Sequence, residues 1–410
     1  MRAMDPHAGM RPFKALLSAR EALDLLLANA RRIERLERVA LSAAVGRVLA
    51  RDVVASIDVP PFARAAMDGF AVLAHDTFGA TRTSPRRLRL AGVLHAGDAP
   101  VRAVGPGEAI QIATGAKLPP GADAVVRVED AQARDGEVHV EVPVYPHRNV
   151  SAAGVDVPAG SRVLVAGAVL DPAKVGVLAS LGLSQVDVVA RPRVAVLPTG
   201  SEVVAPGSPL REGAIYDSNT FTLSSLVARF GAEPLTWGAV EDSLPALERA
   251  LNRAREADCV VLSGGSSVGE RDLVVDLVRR RGTLLFHGVQ VKPGKPMLGA
   301  VVDGRLLLGF PGYPVSCLTN AYLFLLPVLR RLSGAPDPPR RSFPARMGER
   351  LSSSLGRLQI LTVRVRDGEA FSTYKESGAL TSMAESDGYI LIPENVDLVD
   401  KGETVEVFPW

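Results

Sequence analysis

Residues 258–272 constrain the fold most, because they change from a buried strand to a glycine loop and then to a helix. Residues 259–262 form an unbroken apolar run, short enough to be a strand covered on both faces of a parallel sheet. After Gly269 the apolar residues recur at helical spacing. Such a loop either binds an anion with its backbone N–H groups or is only a tight β-to-α turn in which glycine adopts positive φ. Both interpretations predict an α/β domain.

Two other strands end in the same way. Residues 194–197 lead into the loop 198–202, and residues 306–308 lead into the loop 309–316, which a helix follows. In an open α/β sheet such loops lie at the carboxyl edge of the strands, where ligands bind. We therefore predict one large cleft in an α/β domain that spans residues 189–335.

The remaining chain predicts three further parts. Residues 60–144 consist of short β-like runs separated by Gly and Pro, which indicates a β-rich inserted domain. The flanks 14–59 and 145–188 are expected to pack together as a helical linking domain. Residues 336–410 begin with a linker rich in Pro and Arg and continue as short β runs. The predicted fold class is α/β plus β, multidomain: a three-layer α/β domain with a mostly parallel sheet, a β-rich inserted domain and a small C-terminal β barrel.

Composition and charge exclude several classes of partner. The 410 residues carry a net charge of +2 with basic and acidic residues interspersed, so no basic stripe favours nucleic acid. The two cysteines lie in apolar runs, which favours a reducing compartment over a disulfide framework. The longest apolar run, 321–329, is interrupted by Pro327 and is too short to cross a bilayer. Residues 1–12 lack the apolar core of a signal peptide. We expect a cytoplasmic protein without a membrane partner.

The lysines are distributed unevenly. Only seven of the 47 basic residues are lysine, yet two of them occur together in Lys292-Pro-Gly-Lys295, directly after a predicted strand at 289–291. A single lysine is usually a solvated surface charge. Two compact ammonium groups on one bent loop of a lysine-poor chain favour an anion site.

Six short motifs occur in a fixed order along the chain, at residues 66–71, 114–116, 198–202, 263–269, 292–296 and 311–316. Together they resemble the molybdopterin molybdenumtransferases of the MoeA type, a family that includes the E domain of gephyrin. The resemblance extends over nearly the whole chain, from Phe13 onward. It implies an L-shaped homodimer of four-domain subunits, with the active cleft in the α/β domain completed by the partner subunit.

The resemblance also implies the reaction. Molybdate is inserted into the dithiolene of adenylylated molybdopterin while AMP is cleaved off, with a divalent cation, normally Mg²⁺. The upstream molybdopterin adenylyltransferase and downstream molybdoenzymes would be partners. By the same resemblance, Lys292 and Lys295 would bind molybdate together with Arg357 and Ser377. Tungstate, a tetrahedral dianion of similar size, would fit the same groups.

Carboxylates near the strand ends are the expected magnesium ligands, because Mg²⁺ prefers hard oxygen donors. We expect Glu202 and Asp272 to hold the metal or position water, with Asp242 supporting them. Asp242 directly precedes Ser243 at a predicted helix start, so it is alternatively a helix N-cap.

The resemblance assigns the strand-end loops to the nucleotide-bearing pterin. The expected binding residues are Thr199, Gly200, Asp217, Ser263, Gly264, Gly265, Ser267, Gly269, Pro311, Gly312 and Pro314. From the first half of the chain, Asp68, Thr114 and Asp156 would reach the cleft of the partner subunit. Asp68 precedes Gly69, so an ordinary Asp-Gly turn is the alternative. The expected catalytic set is Asp68, Thr114, Asp156, Glu202, Asp242, Asp272, Lys292 and Lys295.

The chain departs from the family pattern at three positions. Val155 stands where Glu is usual, Ser201 replaces Asp before Glu202, and Tyr313 stands where Asn is usual. Two alternatives to the transferase remain. The adenylyltransferase of the same pathway resembles residues 191–332 only, and the additional domains argue against it. A scaffold of the gephyrin type that binds the pterin without turnover would tolerate the loss of both lysine charges.

Overall fold

The computed structural model describes residues 16–264, 273–337 and 341–410. Its first helix, α1 (Ala19–Asn29), begins with the capping motif that Ser18 and Glu21 form. The Ser18 hydroxyl accepts a bond from the backbone N–H of Glu21, and the Glu21 carboxylate accepts one from the N–H of Ser18 at 2.9 Å. Ala22 and Leu26 are fully buried in the core of the α/β domain. The helix therefore packs on that domain.

The inserted domain is a six-stranded sheet that the chain enters and leaves through paired strands. Strand β1 pairs with β12, β2 with β11, and β3 with β10, all antiparallel. The inserted sheet has the order β7-β4-β6-β5-β9-β8. The elements of this part are β1 (Leu36–Ala40), β2 (Val53–Val54), β3 (Arg64–Ala65), β4 (Gly69–Val72), β5 (Arg86–Leu94), β6 (Glu108–Ile112), β7 (Ala124–Arg127), β8 (Ala131–Arg134), β9 (Glu137–Val140), β10 (Val150–Ser151), β11 (Arg162–Leu164), α2 (Pro172–Ser180) and β12 (Gln185–Val189).

The α/β domain follows in chain order. Its elements are β13 (Arg193–Pro198), β14 (Val203–Val204), β15 (Ile215–Tyr216), α3 (Asn219–Arg229), β16 (Glu233–Thr236), α4 (Leu244–Arg253), β17 (Cys259–Ser263), α5 (Leu273–Arg281), β18 (Gly282–His287), β19 (Val291–Lys292), β20 (Leu298–Val302), β21 (Arg305–Phe310), α6 (Pro314–Asn320) and α7 (Leu326–Ser333). One core contains residues of α1, α3 and α7, and the other contains residues of α4 and α5. The sheet thus lies between two helical layers, as the sequence predicts.

The sheet order is β16-β13-β17-β21-β20-β18. The first four strands are parallel, β20 is antiparallel to β21, and β18 is antiparallel to β20. The central strand β17 is buried along its whole length, as expected for a strand covered on both faces. The mostly parallel sheet is confirmed, but the sequence analysis did not identify β18 and β20. Strand β18 starts directly after the arginine-rich end of α5, so no turn marks its beginning.

The helix predicted after the loop 309–316 is divided in two. Between α6 and α7 the backbone forms a π-helical segment, Ala321–Leu325. Pro327 has no N–H to donate to the carbonyl four residues before it, and the wider turn accommodates this loss. Asn320 and Tyr322 lie at this irregularity.

The C-terminal part is a closed barrel. Strand β24 pairs with both β25 and β26, which closes the ring β24-β25-β22-β28-β26 and confirms the predicted barrel. Strand β19 of the preceding domain adds to β24 in parallel, so the strand expected before the lysine pair belongs to the barrel sheet. The elements are β22 (Phe343–Met347), β23 (Leu351–Ser352), β24 (Leu358–Arg366), β25 (Glu369–Ser372), α8 (Thr381–Ala384), β26 (Gly388–Ile392), β27 (Leu398–Val399) and β28 (Thr404–Pro409). Among the described residues, no helix has the length and apolar character needed to span a bilayer.

Candidate functional site

The loops after β13, β17 and β21 share one cleft of about 440 Å³. Ten of the predicted site residues line it, namely Thr199, Gly200, Glu202, Asp217, Asp242, Ser263, Gly264, Pro311, Gly312 and Pro314. Gly265, Ser267, Gly269 and Asp272 lie outside the described residues. The cleft is thus at the carboxyl edge of the sheet, where parallel strands place ligands.

Main-chain packing shapes the floor of the cleft. The N–H of Gly264 donates to the carbonyl of Phe310 at 3.0 Å, and the φ of Gly264 is +93°. A Cβ atom on Gly264 would lie 2.5 Å from the carbonyl oxygen of Thr199. Gly312 lies close by, since a Cβ atom there would be 3.6 Å from the Cα of Gly264. Only glycine fits at position 264, so this loop keeps its backbone directly at the cleft.

Asn219, the first residue of α3, ties two of these loops together. Its Nδ2 donates to Ser263 Oγ at 2.6 Å and to the carbonyl of Gly312 at 2.8 Å. Among the described residues its Oδ1 has no hydrogen-bond partner, although the side chain is buried. Asp217 accepts from the N–H of Thr220 at 3.0 Å in the first turn of α3. Asn219 was not among the predicted site residues. Its position at a helix start, two residues after Asp217, could have indicated a role.

Glu202 and Asp242 are neighbouring carboxylates in the cleft. Partial burial raises the pKa of Asp242, and the negative charge of Glu202 raises it further. The alternative that Asp242 caps α4 is wrong, because Ser243 is the N-cap and its Oγ accepts from the N–H of Ala246 at 3.3 Å. The pair offers hard oxygen ligands whose mutual repulsion a cation would relieve, so these residues fit Mg²⁺. Within the described ranges, no cluster of three or more His, Cys, Asp or Glu side chains could hold a metal.

The lysine loop, residues 292–295, leads from the barrel sheet to the cleft. Lys292 pairs with Gln359 of β24, and its Nζ donates to Ser354 Oγ at 2.8 Å. Pro296, directly after Lys295, lines the cleft. This loop therefore leads from the barrel sheet to the wall of the cleft.

Asn320 fixes the shape of the lysine loop. Its Nδ2 donates to the carbonyl of Gly294 at 3.0 Å, and its side chain occupies the position that a Cβ atom on Gly294 would need. Gly294 has a φ of +116°. Asn320 was not predicted either. An amide side chain within an apolar helix could have indicated its role, because a buried polar group requires a hydrogen-bond partner.

Arg357 and Ser377 lie at the same domain boundary. Arg357 is half-buried and directly precedes β24, whose first residue, Leu358, pairs with Val291. The carbonyl of Ser377 accepts from the N–H of Val315 at 3.0 Å, in the first turn of α6. Its hydroxyl lies 3.2 Å from the Tyr374 hydroxyl. Two barrel residues thus approach the segments that carry the lysine pair and the cleft.

Asp68, Thr114 and Asp156 do not line the cleft of their own chain. Asp68 Oδ1 accepts from the N–H of Thr114 at 2.7 Å and from its Oγ1 at 3.0 Å, and these bonds lower the pKa of Asp68. The Asp-Gly turn does not account for the motif, because Gly69 begins β4 and its lack of a Cβ allows close approach to Val126 of β7. Asp156 is exposed.

Comparison with known proteins decides the family. Three family models match the chain: MoeA N-terminal region (domain I and II) at residues 17–182, probable molybdopterin binding domain at 195–331, and MoeA C-terminal region (domain IV) at 344–410. Molybdopterin molybdenumtransferase 2 of Mycobacterium tuberculosis is 36% identical over 384 residues, which cover 90% of this chain and 94% of the relative. The chain belongs to the MoeA family of molybdopterin molybdenumtransferases.

Two further relatives agree with this assignment. Molybdopterin molybdenumtransferase of Haemophilus influenzae is 33% identical over 91% of this chain and 94% of its own length. The crystal structure of molybdopterin biosynthesis moeA protein from Pyrococcus horikoshii OT3 superposes with a TM-score of 0.84 at 34% identity, covering 97% of this chain and 100% of that one. The MoeA architecture therefore extends over the whole described fold.

All three residues that depart from the MoeA pattern have exposed side chains. Tyr313 lines the cleft and is 67% exposed. Val155 is 66% exposed beside Asp156. Ser201 lies between Gly200 and Glu202, and its side chain is exposed. None of the three replaces a residue of the main-chain floor of the cleft.

Proposed function

We propose that the protein inserts molybdenum into adenylylated molybdopterin, consuming molybdate and releasing AMP and the molybdenum cofactor. The proposal is supported by the place where two chemically different surfaces meet. A cleft of glycine loops and carboxylates meets a lysine loop that is joined to the barrel. The names of the MoeA relatives support the same reaction.

The cleft would bind the adenylylated pterin. Thr199, Gly200, Gly264 and Gly312 present main-chain groups there, which suit a phosphate because backbone N–H groups at strand ends form anion-binding concavities. Asp217 and the loop containing Pro311 and Pro314 form other parts of its wall. Ser263 is buried and holds Asn219, so it acts by fixing the loops.

The lysine loop would bind the oxyanion. Lys292 and Lys295 supply compact positive charges, and Arg357 and Ser377 approach from the barrel. A tetrahedral dianion such as molybdate or tungstate is suited to such convergent donors. Both domains would then contribute to a single anion site.

Glu202 and Asp242 would hold a magnesium ion, together with Asp272 from outside the described residues. When bound, this ion supplies positive charge that favours the departure of a phosphate-bearing group. The protein's own contribution is to keep two carboxylates side by side at the edge of the pterin cleft.

The active unit would be a homodimer in the cytoplasm. Asp68, Thr114 and Asp156 belong to the first half of the chain, and in a dimer they would complete the cleft of the other subunit. The two cysteines are buried and unpaired, which suits a reducing compartment. The adenylyltransferase that makes the substrate and the molybdoenzymes that take the product would be its partners.

The test is AMP release from adenylylated molybdopterin in the presence of magnesium, with and without molybdate. We expect release to depend on molybdate and to be lost in Lys295→Ala and Asp272→Ala proteins that keep the wild-type circular dichroism spectrum. Binding of adenylylated molybdopterin without AMP release, with molybdate or tungstate, would instead establish the scaffold role.

A further inference from the structure

An aromatic cluster lies between the α/β domain and the barrel, and the reaction described above gives it no role. The Trp410 ring centroid lies 4.7 Å from that of Tyr322 and 4.8 Å from that of Tyr389. Phe230 extends the cluster beside Tyr322 at 6.4 Å, and Phe408 extends it beside Tyr389 at 5.5 Å. Two rings come from the α/β domain and three from the barrel side. The cluster therefore crosses the domain boundary, with Trp410 at its centre.

Polar contacts fix Trp410 from both domains. Its indole Nε1 donates to Ser386 Oγ of the barrel at 2.8 Å. Its main-chain oxygen accepts from Arg229 Nη2 of the α/β domain at 2.8 Å. The Arg229 guanidinium also lies 5.6 Å from the Phe230 ring centroid. Aromatic packing and two hydrogen bonds thus hold one residue against both domains.

The elements that carry the cluster also position the proposed oxyanion groups. Tyr322 is two residues from Asn320, which holds Gly294 in the lysine loop. On the other side, Tyr389 of β26 pairs with Thr362 of β24, and the start of β24 pairs with β19. The pairing of β19 with β24 holds Lys292 beside the barrel, so a shift of the cluster would move the Lys295 end of the loop relative to the barrel.

Short links join the domains near the site itself. They include the two-residue pairing of β19 with β24, the hydrogen bond from Lys292 Nζ to Ser354 Oγ and the hydrogen bond from the N–H of Val315 to the carbonyl of Ser377. The Trp410 cluster is a further contact between the same domains, beside Thr362 in the middle of β24, and is expected to constrain the angle between them.

We propose that Trp410 is a positioning residue that sets the angle between the α/β domain, which carries Lys295, and the barrel, which carries Arg357 and Ser377. It thereby determines affinity for the tetrahedral oxyanion without touching it. This inference rests on the proposed function of the same site. The adenylylated pterin would bind in the cleft, whose lining residues belong to the α/β domain, so its affinity should depend less on the barrel angle.

The first test compares Michaelis constants. Trp410→Ala is expected to raise the Michaelis constant for molybdate about tenfold or more, since small misplacements of binding groups are costly. The constant for adenylylated molybdopterin should change by less than about twofold, because its site lies within one domain. Trp410→Phe keeps an aromatic ring and should recover most of the molybdate affinity. Unchanged constants, or equal changes in both, would overturn the proposal.

The matched control is the chain's other tryptophan. Trp237 lies over Arg253 of α4, at a ring distance of 5.8 Å, on the side of the sheet away from the barrel contacts. Trp237→Ala removes the same side chain, and we expect it to leave both Michaelis constants at the wild-type value. A rise in the molybdate constant with Trp237→Ala would show that the effect is not specific to Trp410.

A second measurement does not require turnover. In Trp237→Phe protein, Trp410 is the sole tryptophan, since the chain has two. Molybdate or tungstate alone should change the fluorescence emission of Trp410 in a saturable way that chloride at equal ionic strength does not reproduce.

Calorimetry should show weaker molybdate binding to Trp410→Ala than to wild type. If the protein never releases AMP, the proposed function fails, whereas these binding measurements still decide the role of Trp410. The proposed role of Trp410 would be overturned if the oxyanion binds without changing the emission of Trp237→Phe protein and binds Trp410→Ala with wild-type affinity.

Discussion

The pterin cleft and the oxyanion side of the site are built differently. The cleft is closed within the α/β domain by main-chain contacts, such as Gly264 N–H to the Phe310 carbonyl. The proposed oxyanion side would take Lys292 from one domain and Arg357 and Ser377 from the other, and a two-residue strand joins these segments. Main-chain contacts set a local geometry, whereas a domain boundary depends on packing far from the ligand. Substitutions should therefore separate the two binding functions.

The largest expected effect is at the oxyanion side. Lys292→Ala removes a charge that lies at the domain boundary, and we expect molybdate-dependent kcat/KM to fall about 100-fold or more. Lys174→Ala is the control, because Lys174 is paired with Asp171 at a distant helix start. If both variants lose activity equally, general charge and not position is responsible.

The cleft side should respond to Gly264→Ala. At φ +93° a side chain is strained, and its Cβ would press on the Thr199 carbonyl, so we expect about 3 kcal/mol or more of destabilisation and weaker binding of adenylylated molybdopterin. Gly207→Ala is the matched control, since Gly207 has a φ of +88° with open space around it, and it should cost only about 1 kcal/mol. Urea unfolding and calorimetric binding measure both. Equal losses at the two positions would mean that the close approach has no consequence.

Mixing two inactive variants tests whether the first half of one chain serves the cleft of another. Asp68→Ala and Lys292→Ala homodimers, unfolded together and refolded, should recover about a quarter of wild-type activity, because half of the dimers would be mixed and each would have one intact site. Either variant refolded alone provides the baseline. No recovery in a mixture that contains heterodimers would place both residues in the same subunit's site.

The effect that is smallest at neutral pH concerns the two buried thiols, Cys259 and Cys317. Burial raises the pKa of Cys259 and of Cys317 from 9.0 to about 12. The unfolded chain ionises at lower pH than the folded protein, so this contribution to stability is complete below the unfolded pKa and is lost as pH rises toward the folded value. Above the unfolded pKa each thiol should lower the free energy of unfolding by about 1.4 kcal/mol per pH unit.

Urea denaturation across this alkaline range measures the loss. A Cys259→Ala and Cys317→Ala double variant should show a shallower decline than the wild type. Native protein should also resist thiol reagents until urea unfolds it. Rapid labelling of the native protein would contradict the burial of the two thiols.

The sequence predicted those parts of the fold that short-range patterns determine. The apolar runs in β13, β17 and β21 identified the central parallel strands and the edge where the cleft lies. The membership of β19 in the barrel sheet depends on a partner strand far along the chain, and no local pattern marks it. For the same reason the packing of α1 on the α/β sheet was not anticipated.

The candidate site divides in a similar way. Glycines and carboxylates after strands were recognisable because their residue types and positions carry the chemistry. Asn219 and Asn320 were missed because each acts through main-chain carbonyls of distant loops, Gly312 and Gly294. Their roles depend on three-dimensional proximity, which a single sequence does not contain.

Arg357→Ala offers the most direct test of a site divided between two domains. Calorimetric titration of this variant with molybdate and, separately, with adenylylated molybdopterin compares the two affinities in one protein. A site divided between two domains predicts that molybdate binding is lost or weakened about tenfold or more, while pterin binding stays at the wild-type value. Equal weakening of both ligands, or unchanged molybdate binding, would contradict it.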